Sequence, residues 1–273
     1  MTYYTCEATL EAMLSCIYDA WTSRKGHQNI CLLLEPISQY AMFDEYIHVD
    51  ADLNKVSKVM DAVNMKISPQ FYSALVYTSM AYEEDTLDNI YRCMILGFAY
   101  GPQALNMVQY KDIIRNQIIR KRLGREVNHF QEFLRFHQVD GDVYVAHFEP
   151  KSRIVVALGP VFEDRMPSEH WVIIDDVHRE AVIHPKDQHF YLQKLNDDEF
   201  ERLLETEKIN DEFTTLWKTF FDSVAIEERK NEKCQRNLYP IWTRKHAVEL
   251  APESIKNKHF YRKHGENAYY GQD

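Results

Sequence analysis

The spacing of apolar residues changes near residue 133, and this change constrains the fold more than any other feature of the 273-residue chain. Before it, apolar residues recur at intervals of three and four, as in the stripe of Val56, Val59, Met60 and Val63, which is the spacing of amphipathic helices. After it, apolar and polar residues alternate, which is typical of half-buried strands. We therefore expect a helical body followed by a sheet.

Two pairs of short strands are predicted in the middle third of the chain. The first pair joins residues 135–138 to residues 143–148 through Asp140-Gly141, a favourable hairpin turn. The second pair joins residues 171–175 to residues 181–184 across a polar turn. Each pair is predicted to be antiparallel because its connection is short.

The sequence predicts an α+β fold, a mainly helical body with a small antiparallel sheet over about residues 133–185. The first helix begins after Thr9, a favourable N-cap. Residues 154–162 have the spacing of a helix packed on the first hairpin, although a strand would fit part of this stretch. Residues 1–250 are expected to form a single compact unit. A tail rich in basic and aromatic residues follows over residues 251–273.

Cysteine usage and hydropathy exclude several classes of protein. The 5 cysteines include no close pair and no CxxC spacing, so neither a disulfide scaffold, a structural zinc site nor an iron–sulfur cluster is expected. No apolar run approaches the ~18 residues of a membrane span, and the N-terminus lacks the pattern of a signal peptide. We expect a cytoplasmic protein with no membrane contact.

Familiar catalytic motifs are missing from the sequence. It contains no GxSxG, no Gly-rich phosphate loop and no HExxH, so the common hydrolase, kinase and dinucleotide-binding classes have no support. Seven of the 12 histidines lie between His129 and His189, but their spacings match no ligand set. The sequence therefore predicts neither a metal nor a cofactor.

Glu126 and His129 are the one candidate catalytic pair. Three residues apart on a predicted helix, they would present a carboxylate and an imidazole on one face. That arrangement suits acid–base or metal-assisted chemistry in a hydrolase or lyase. The alternative is structural: Glu126 pairs with a neighbouring arginine and His129 packs where the helix meets the sheet.

Charge is distributed unevenly along the chain. The net charge is −10, yet residues 111–136 carry +4 and residues 229–264 carry +7, which leaves −21 elsewhere. An acidic protein is a poor ligand for nucleic acid because phosphate neutralisation supplies much of the affinity. Two basic segments on an acidic body could nevertheless form one basic face. The alternative is two solvated helix surfaces.

Residues 129–136 interleave aromatic side chains with Arg135, and they follow the basic run Arg120 to Arg122. Aromatic rings stack on unpaired bases, and guanidinium groups contact phosphates. This combination suits single-stranded or distorted nucleic acid. The phenylalanines are equally suited to a hydrophobic core.

Several stretches together resemble one known family. They are Glu126 to Phe136 with the following hairpin to Glu149-Pro150, Phe162-Glu163-Asp164-Arg165, Trp171-Val172-Ile173-Ile174-Asp175, Thr9-Leu10-Glu11 through Leu14 with Ile17-Tyr18, and Asn231, Gln235, Pro240 and Trp242. This set, spanning about residues 4–245, is similar to a bacterial domain family described as a putative DNA-repair or probable DNA-metabolism protein. The chain departs from the family pattern at Glu7-Ala8, where Asp-Gly is usual, and at Pro240-Ile241-Trp242, where the family's ending is basic.

The resemblance implies a role connected with DNA. Members of the family occur beside a radical-SAM protein, and related copies are fused to uracil-DNA-glycosylase-like domains. The leading hypothesis is an accessory protein of DNA metabolism or repair that binds single-stranded or damaged DNA through the two basic segments. Phosphate contacts are predicted for Arg120, Lys121, Arg122, Arg125, Arg244 and Lys245, and stacking or positioning for Arg135 and Trp242.

Two alternatives remain open at this level. The protein could bind a radical-SAM enzyme through its basic face without touching DNA. It could also be a hydrolase or lyase that uses Glu126 and His129. The sequence leaves open whether the protein is an enzyme.

Overall fold

The computed structural model describes residues 1–37, 40, 42–139, 141–206, 212–224, 226, 231–247 and 249. The chain divides into two compact units, which interleave along the sequence. The first unit comprises Met1–Glu132 and Pro150–Phe162, and the second comprises Phe133–Glu149 and Glu163–Asp273. The tail predicted for residues 251–273 and Asp140 of the predicted hairpin turn lie outside the described residues.

The first unit is built from a parallel sheet and a series of helices. Its elements are β1 (Thr2–Cys6), α1 (Leu10–Thr22), β2 (Ile30–Leu34), β3 (Glu45–His48), α2 (Leu53–Lys66), α3 (Pro69–Ser79), α4 (Thr86–Tyr100) and α5 (Lys111–Phe133). The strand order is β2-β1-β3, and both neighbours run parallel to β1. The sequence predicted a helical body here, but not the parallel pairing of β1 with β2 and β3.

Local signals place the helix ends of the first unit. Thr9 Oγ1 accepts a hydrogen bond from the amide of Ala12 at 3.3 Å, so the predicted N-cap of α1 is confirmed. Pro69 occupies the first turn of α3, where its missing N–H costs nothing. Gly101 ends α4 with φ of +79°, a conformation that favours glycine.

The second unit contains a five-stranded sheet and short helices. Its elements are β4 (His137–Val139), β5 (Val143–Phe148), β6 (His170–Asp175), β7 (Glu180–His184), β8 (Tyr191–Lys194), α7 (Asp197–Thr206), α8 (Glu212–Val224) and α9 (Glu232–Leu238). A 3₁₀ turn follows at Ile241–Thr243. Both predicted strand pairs are confirmed, because β4 with β5 and β6 with β7 are antiparallel.

The sheet of the second unit is mixed, which corrects the prediction of a wholly antiparallel sheet. Strands β5 and β6 are neighbours and run parallel, with Phe148 opposite Asp175. A parallel pair needs a crossover connection, and α6 (Val155–Arg165) lies in the connection between these strands. The carboxyl ends of β5 and β6 therefore share one edge of the sheet. The predicted α+β class and the helix over residues 154–162 are confirmed.

Among the residues that the structure describes, no helix combines the length and the apolar composition needed to cross a bilayer.

Candidate functional site

The exposed side of α5 carries a stripe of residues without acidic members. Ile114, Ile118, Lys121 and Arg125 follow one another at intervals of three and four, so they share one face of the helix. The two isoleucines are 44% and 41% exposed. Neither Lys121 nor Arg125 forms an ion pair with any residue in the described part of the chain. Like charges at this spacing destabilise a helix by roughly 0.2–0.5 kcal/mol, and a bound anion would relieve that repulsion.

Arg120 lies beside this stripe and lines an open cavity. The cavity has a volume of about 370 Å³ and is bounded by Pro69, Gln70, Ser73, Ala74, Tyr77 and Arg120. Nε of Arg120 is buried and, among the described residues, has no hydrogen-bond partner. A buried donor left unsatisfied costs about 1–3 kcal/mol. We call Arg120, Lys121 and Arg125 the α5 basic surface.

Tyr77 lines the same cavity and lies near the guanidinium group of Arg120. Burial raises the pKa of Tyr77 above its usual value of 10, and the nearby Arg120 guanidinium opposes that rise. The tyrosine therefore stays neutral at physiological pH and offers a ring face and a hydroxyl to a ligand. Gly124, one turn further along α5, lies beside this hydroxyl.

Two other cations of α5 have acidic neighbours. Arg115 binds Asp85 through two bonds, Nε to Oδ2 at 2.6 Å and Nη2 to Oδ1 at 2.5 Å. These bonds to Arg115 hold the pKa of Asp85 below its usual range. Arg122 Nη1 lies 3.7 Å from Oε1 of the buried Glu83, while the arginine side chain is 56% exposed. Arg122 therefore contributes less net charge to the helix surface than Lys121 or Arg125.

Arg135 of the second unit is engaged internally. Its Nη2 donates to Oε1 of Glu249 at 2.6 Å, and its guanidinium carbon lies 5.4 Å from the ring centre of Trp217. A cation that is paired with a carboxylate and stacked on an indole stabilises the fold. Releasing it for a ligand would cost both contacts.

The predicted contact residues near the C-terminal end differ in their surroundings. Arg244 donates from Nε and Nη2 to the backbone carbonyl of Tyr239 at 2.8 and 2.6 Å. Lys245 forms an ion pair with Glu149. Trp242 lies in the 3₁₀ turn and is 41% exposed, which leaves part of its ring accessible.

Glu126 and His129 have separate environments. Oε1 of Glu126 accepts hydrogen bonds from the backbone amides of Lys151 at 2.6 Å and Ser152 at 3.2 Å. His129 is partly buried and meets Phe130 edge to face, with ring centres 5.5 Å apart. Desolvation lowers the pKa of His129, and the charge of Glu132 partly opposes this. Glu126 thus binds backbone amides rather than the arginine that the structural alternative assumed.

A cluster that the sequence did not predict lies at the carboxyl edge of β5 and β6. Glu149 directly follows β5 and Asp176 directly follows β6, and His246 joins them from the C-terminal part of the unit. One potential ligand atom from each of the three side chains lies within 4.8 Å of the others. The carboxyl ends of parallel strands that meet at one edge of a sheet often bind ligands. The sequence alone did not predict this cluster because it did not reveal that β5 and β6 are parallel neighbours.

His147 supports this cluster from the interior. Its ring is almost fully buried, and Nδ1 donates to Oδ1 of Asp176 at 2.9 Å. Its other nitrogen, Nε2, lies 3.2 Å from Oγ1 of Thr206. Both ring nitrogens are thereby occupied, so His147 positions Asp176.

The fold and these sites define an α+β protein of two units, with an exposed basic surface on a helix of one unit and a histidine–carboxylate cluster in the other. Residues 84–249, more than half of the chain, match the model of a family described as a domain of unknown function, DUF4130. The chain belongs to this family. No curated protein matches it. The matched residues include both α5 and the histidine–carboxylate cluster, but not α1.

Proposed function

We propose that this protein is an accessory protein of DNA metabolism or repair, and that it binds single-stranded or damaged DNA through the α5 basic surface. The observation that carries the proposal is the stripe of α5 on which Lys121 and Arg125 have no ion pair within the described residues. The neighbouring Arg120 lines an open cavity, and its buried Nε has no hydrogen-bond partner among the described residues. A polyanion can contact these three cations without breaking any ion pair formed within the described residues.

The spacing of the cations suits a nucleic-acid strand. Lys121 and Arg125 are four residues apart on a helix, which separates their Cβ atoms by roughly 5–6 Å. A strand of DNA carries one charge per about 3.4 Å of axis, so the two side chains can reach different phosphates. The exposed Ile114 and Ile118 beside them offer an apolar surface. Unpaired bases can cover such a surface, whereas bases stacked within a duplex cannot.

The resemblance to a DNA-metabolism family supports DNA as the partner. Bacterial members of the family that the chain resembles occur beside a radical-SAM protein. We propose a radical-SAM protein as a second partner. The ion pair of Lys245 with Glu149 and the hydrogen bonds of Arg244 to the Tyr239 carbonyl favour α5 over the second basic segment as the main contact.

Fluorescence anisotropy with labelled oligonucleotides tests the proposal. We expect the wild-type protein to bind single strands, or duplexes with a mismatch or an abasic position, with a dissociation constant of about 1 µM or lower at low salt. An intact duplex should bind more weakly. The double variant Lys121→Gln/Arg125→Gln should weaken binding about tenfold, because two phosphate contacts are lost.

A matched control separates local contacts from total charge. Lys58 and Lys66 are exposed residues of α2, and Lys58→Gln/Lys66→Gln removes the same charge from another helix. This variant should bind as the wild type does. Equal loss in both double variants, or no binding of any oligonucleotide at low salt, would contradict the proposal. If the protein instead co-purifies with a radical-SAM enzyme after nuclease treatment and binds no DNA, its basic surface contacts protein.

A further inference from the structure

The histidine–carboxylate cluster of the second unit has the composition of a metal site. Glu149, Asp176 and His246 place one oxygen, one oxygen and one nitrogen within 4.8 Å of one another. Nε2 of His246 lies 3.7 Å from Oδ2 of Asp176. The side chains of Asp176 and His246 are 6% and 11% exposed, and that of Glu149 is 35% exposed. The cluster is therefore shielded on one side and open on the other.

The fold holds two of the three side chains through strand pairing. Phe148 and Asp175 are register partners in the parallel pair of β5 and β6, so Glu149 and Asp176 leave the sheet side by side. The amide of Asp176 also donates to the carbonyl of Phe148 at 3.0 Å. His246 is held by its neighbour Ala247, which is 1% exposed and donates from its amide to the Arg244 carbonyl at 3.0 Å.

A second layer of contacts fixes the orientation of Asp176. Oδ1 accepts from the buried His147, which leaves Oδ2 as the oxygen that faces His246. Metal-binding carboxylates are commonly held in this way by a hydrogen bond to the oxygen that does not bind the metal. The contact comes from a residue outside the cluster, and it leaves Oδ2 turned toward His246.

The cluster already attracts a positive charge. The ammonium group of Lys245 forms an ion pair with Glu149. An ammonium on a flexible side chain is a cation that a metal ion can displace, because Lys245 is exposed and can turn toward solvent. The site therefore favours cations by electrostatics before any metal binds.

We propose that Glu149, Asp176 and His246 bind one divalent transition-metal ion, with Zn²⁺ as the best match. One imidazole nitrogen and two carboxylate oxygens suit Zn²⁺ better than Mg²⁺ or Ca²⁺, which prefer oxygen ligands alone. Ligand atoms around a tetrahedral ion lie about 3.4 Å apart at bond lengths of about 2.1 Å. Small side-chain rotations close the observed spacing to that value. Three protein ligands leave a fourth position for water or an anionic ligand.

Titration of the chelator-treated protein with Zn²⁺ in competition with a coloured zinc chelator tests the site without DNA. We expect one Zn²⁺ per chain, bound at least 100-fold more weakly by Asp176→Asn and by His246→Gln. Lys245→Met should bind several-fold more tightly, because the competing ammonium is removed. Millimolar Mg²⁺ should not displace the zinc.

An exposed histidine elsewhere in the same unit supplies the control. His189 pairs with Glu163 at 2.9 Å and its side chain is 99% exposed, so His189→Gln reports nonspecific binding to surface histidines. This variant should bind Zn²⁺ as the wild type does. Titration followed by NMR should also shift the His246 imidazole signals first, which identifies the ligand even if Asp176→Asn fails to fold. No binding by the wild type, unchanged affinity in His246→Gln, or loss of binding in His189→Gln would overturn the proposal.

Discussion

The carboxylate of Glu126 on α5 holds the backbone of Lys151, since Oε1 lies 2.6 Å from the amide nitrogen. The same oxygen accepts from the amide of Ser152 at 3.2 Å. Both amides precede α6, where the chain enters the connection between β5 and β6. A residue that appears in the sequence as a candidate acid or base thus satisfies two backbone donors.

Replacing Glu126 should affect stability according to whether an acceptor remains. Glu126→Ala leaves the amides of Lys151 and Ser152 without this acceptor, which should lower the free energy of unfolding by about 1–3 kcal/mol. Glu126→Gln keeps an oxygen in place and should cost less than half as much. Urea denaturation measures both values. Equal destabilisation by the two substitutions would show that the negative charge matters rather than the hydrogen bonds.

His129 should make stability depend on pH. Its folded-state pKa is lowered by desolvation, so its contribution is fully present above the unfolded pKa of about 6.5 and is lost as pH falls through the folded pKa. We expect the free energy of unfolding to drop between about pH 7.5 and pH 5 by more in the wild type than in His129→Gln. NMR should give a titration midpoint below 6.5 for His129. A midpoint at or above that value would be inconsistent with the burial of this ring.

Two glycines should respond to alanine with opposite signs. A Cβ added at Gly97 of α4 would lie 2.6 Å from Cζ of Phe71 and 2.8 Å from Cδ1 of Ile67, so Gly97→Ala should destabilise by about 1–3 kcal/mol through overpacking. At Gly124 of α5 the nearest atom is Oη of Tyr77 at 3.5 Å. Gly124→Ala should therefore stabilise by up to about 1 kcal/mol through helix propensity. Chemical denaturation of both variants decides the signs, and a neutral Gly97→Ala would refute this packing.

A buried amide network should anchor α5. Asn116 is fully buried and donates from Nδ2 to Oδ1 of Asn89 at 3.0 Å and to Oγ1 of Thr78 at 3.3 Å. Asn116→Ala should cost about 1–3 kcal/mol, because these acceptors lose a donor in the protein interior. The exposed Asn128 on the same helix provides the control, with a change within about 0.5 kcal/mol. Similar effects at both positions would show that the network contributes little.

Local patterns in the sequence predicted the elements that depend on near neighbours. The N-cap at Thr9, the helices and the two antiparallel strand pairs follow from spacing and turn residues within short windows. The parallel pairing of β5 with β6 joins strands separated by α6, and no local pattern distinguishes it from other pairings. The parallel sheet of β1, β2 and β3 was not predicted from the sequence for the same reason.

The candidate sites were also only partly predictable, because the residues are visible in the sequence and their long-range contacts are not. The basic residues are visible in the sequence, but their partners are not, since Arg135 pairs with Glu249 114 residues away and Lys245 with Glu149 96 residues away. The histidine–carboxylate cluster draws on Glu149, Asp176 and His246, whose spacing matches no motif. The cluster could be predicted only once the pairing of β5 with β6 was known, because that pairing brings Glu149 and Asp176 together.

The salt dependence of DNA binding tests the α5 basic surface most directly. The logarithm of the affinity for a single strand falls linearly with the logarithm of the salt concentration, with a slope of about −0.7 per neutralised phosphate. Lys121→Gln/Arg125→Gln should therefore make the slope shallower by about 1.4, while Lys58→Gln/Lys66→Gln should leave it unchanged. Identical slopes for the wild type and both double variants would contradict a phosphate contact at Lys121 and Arg125.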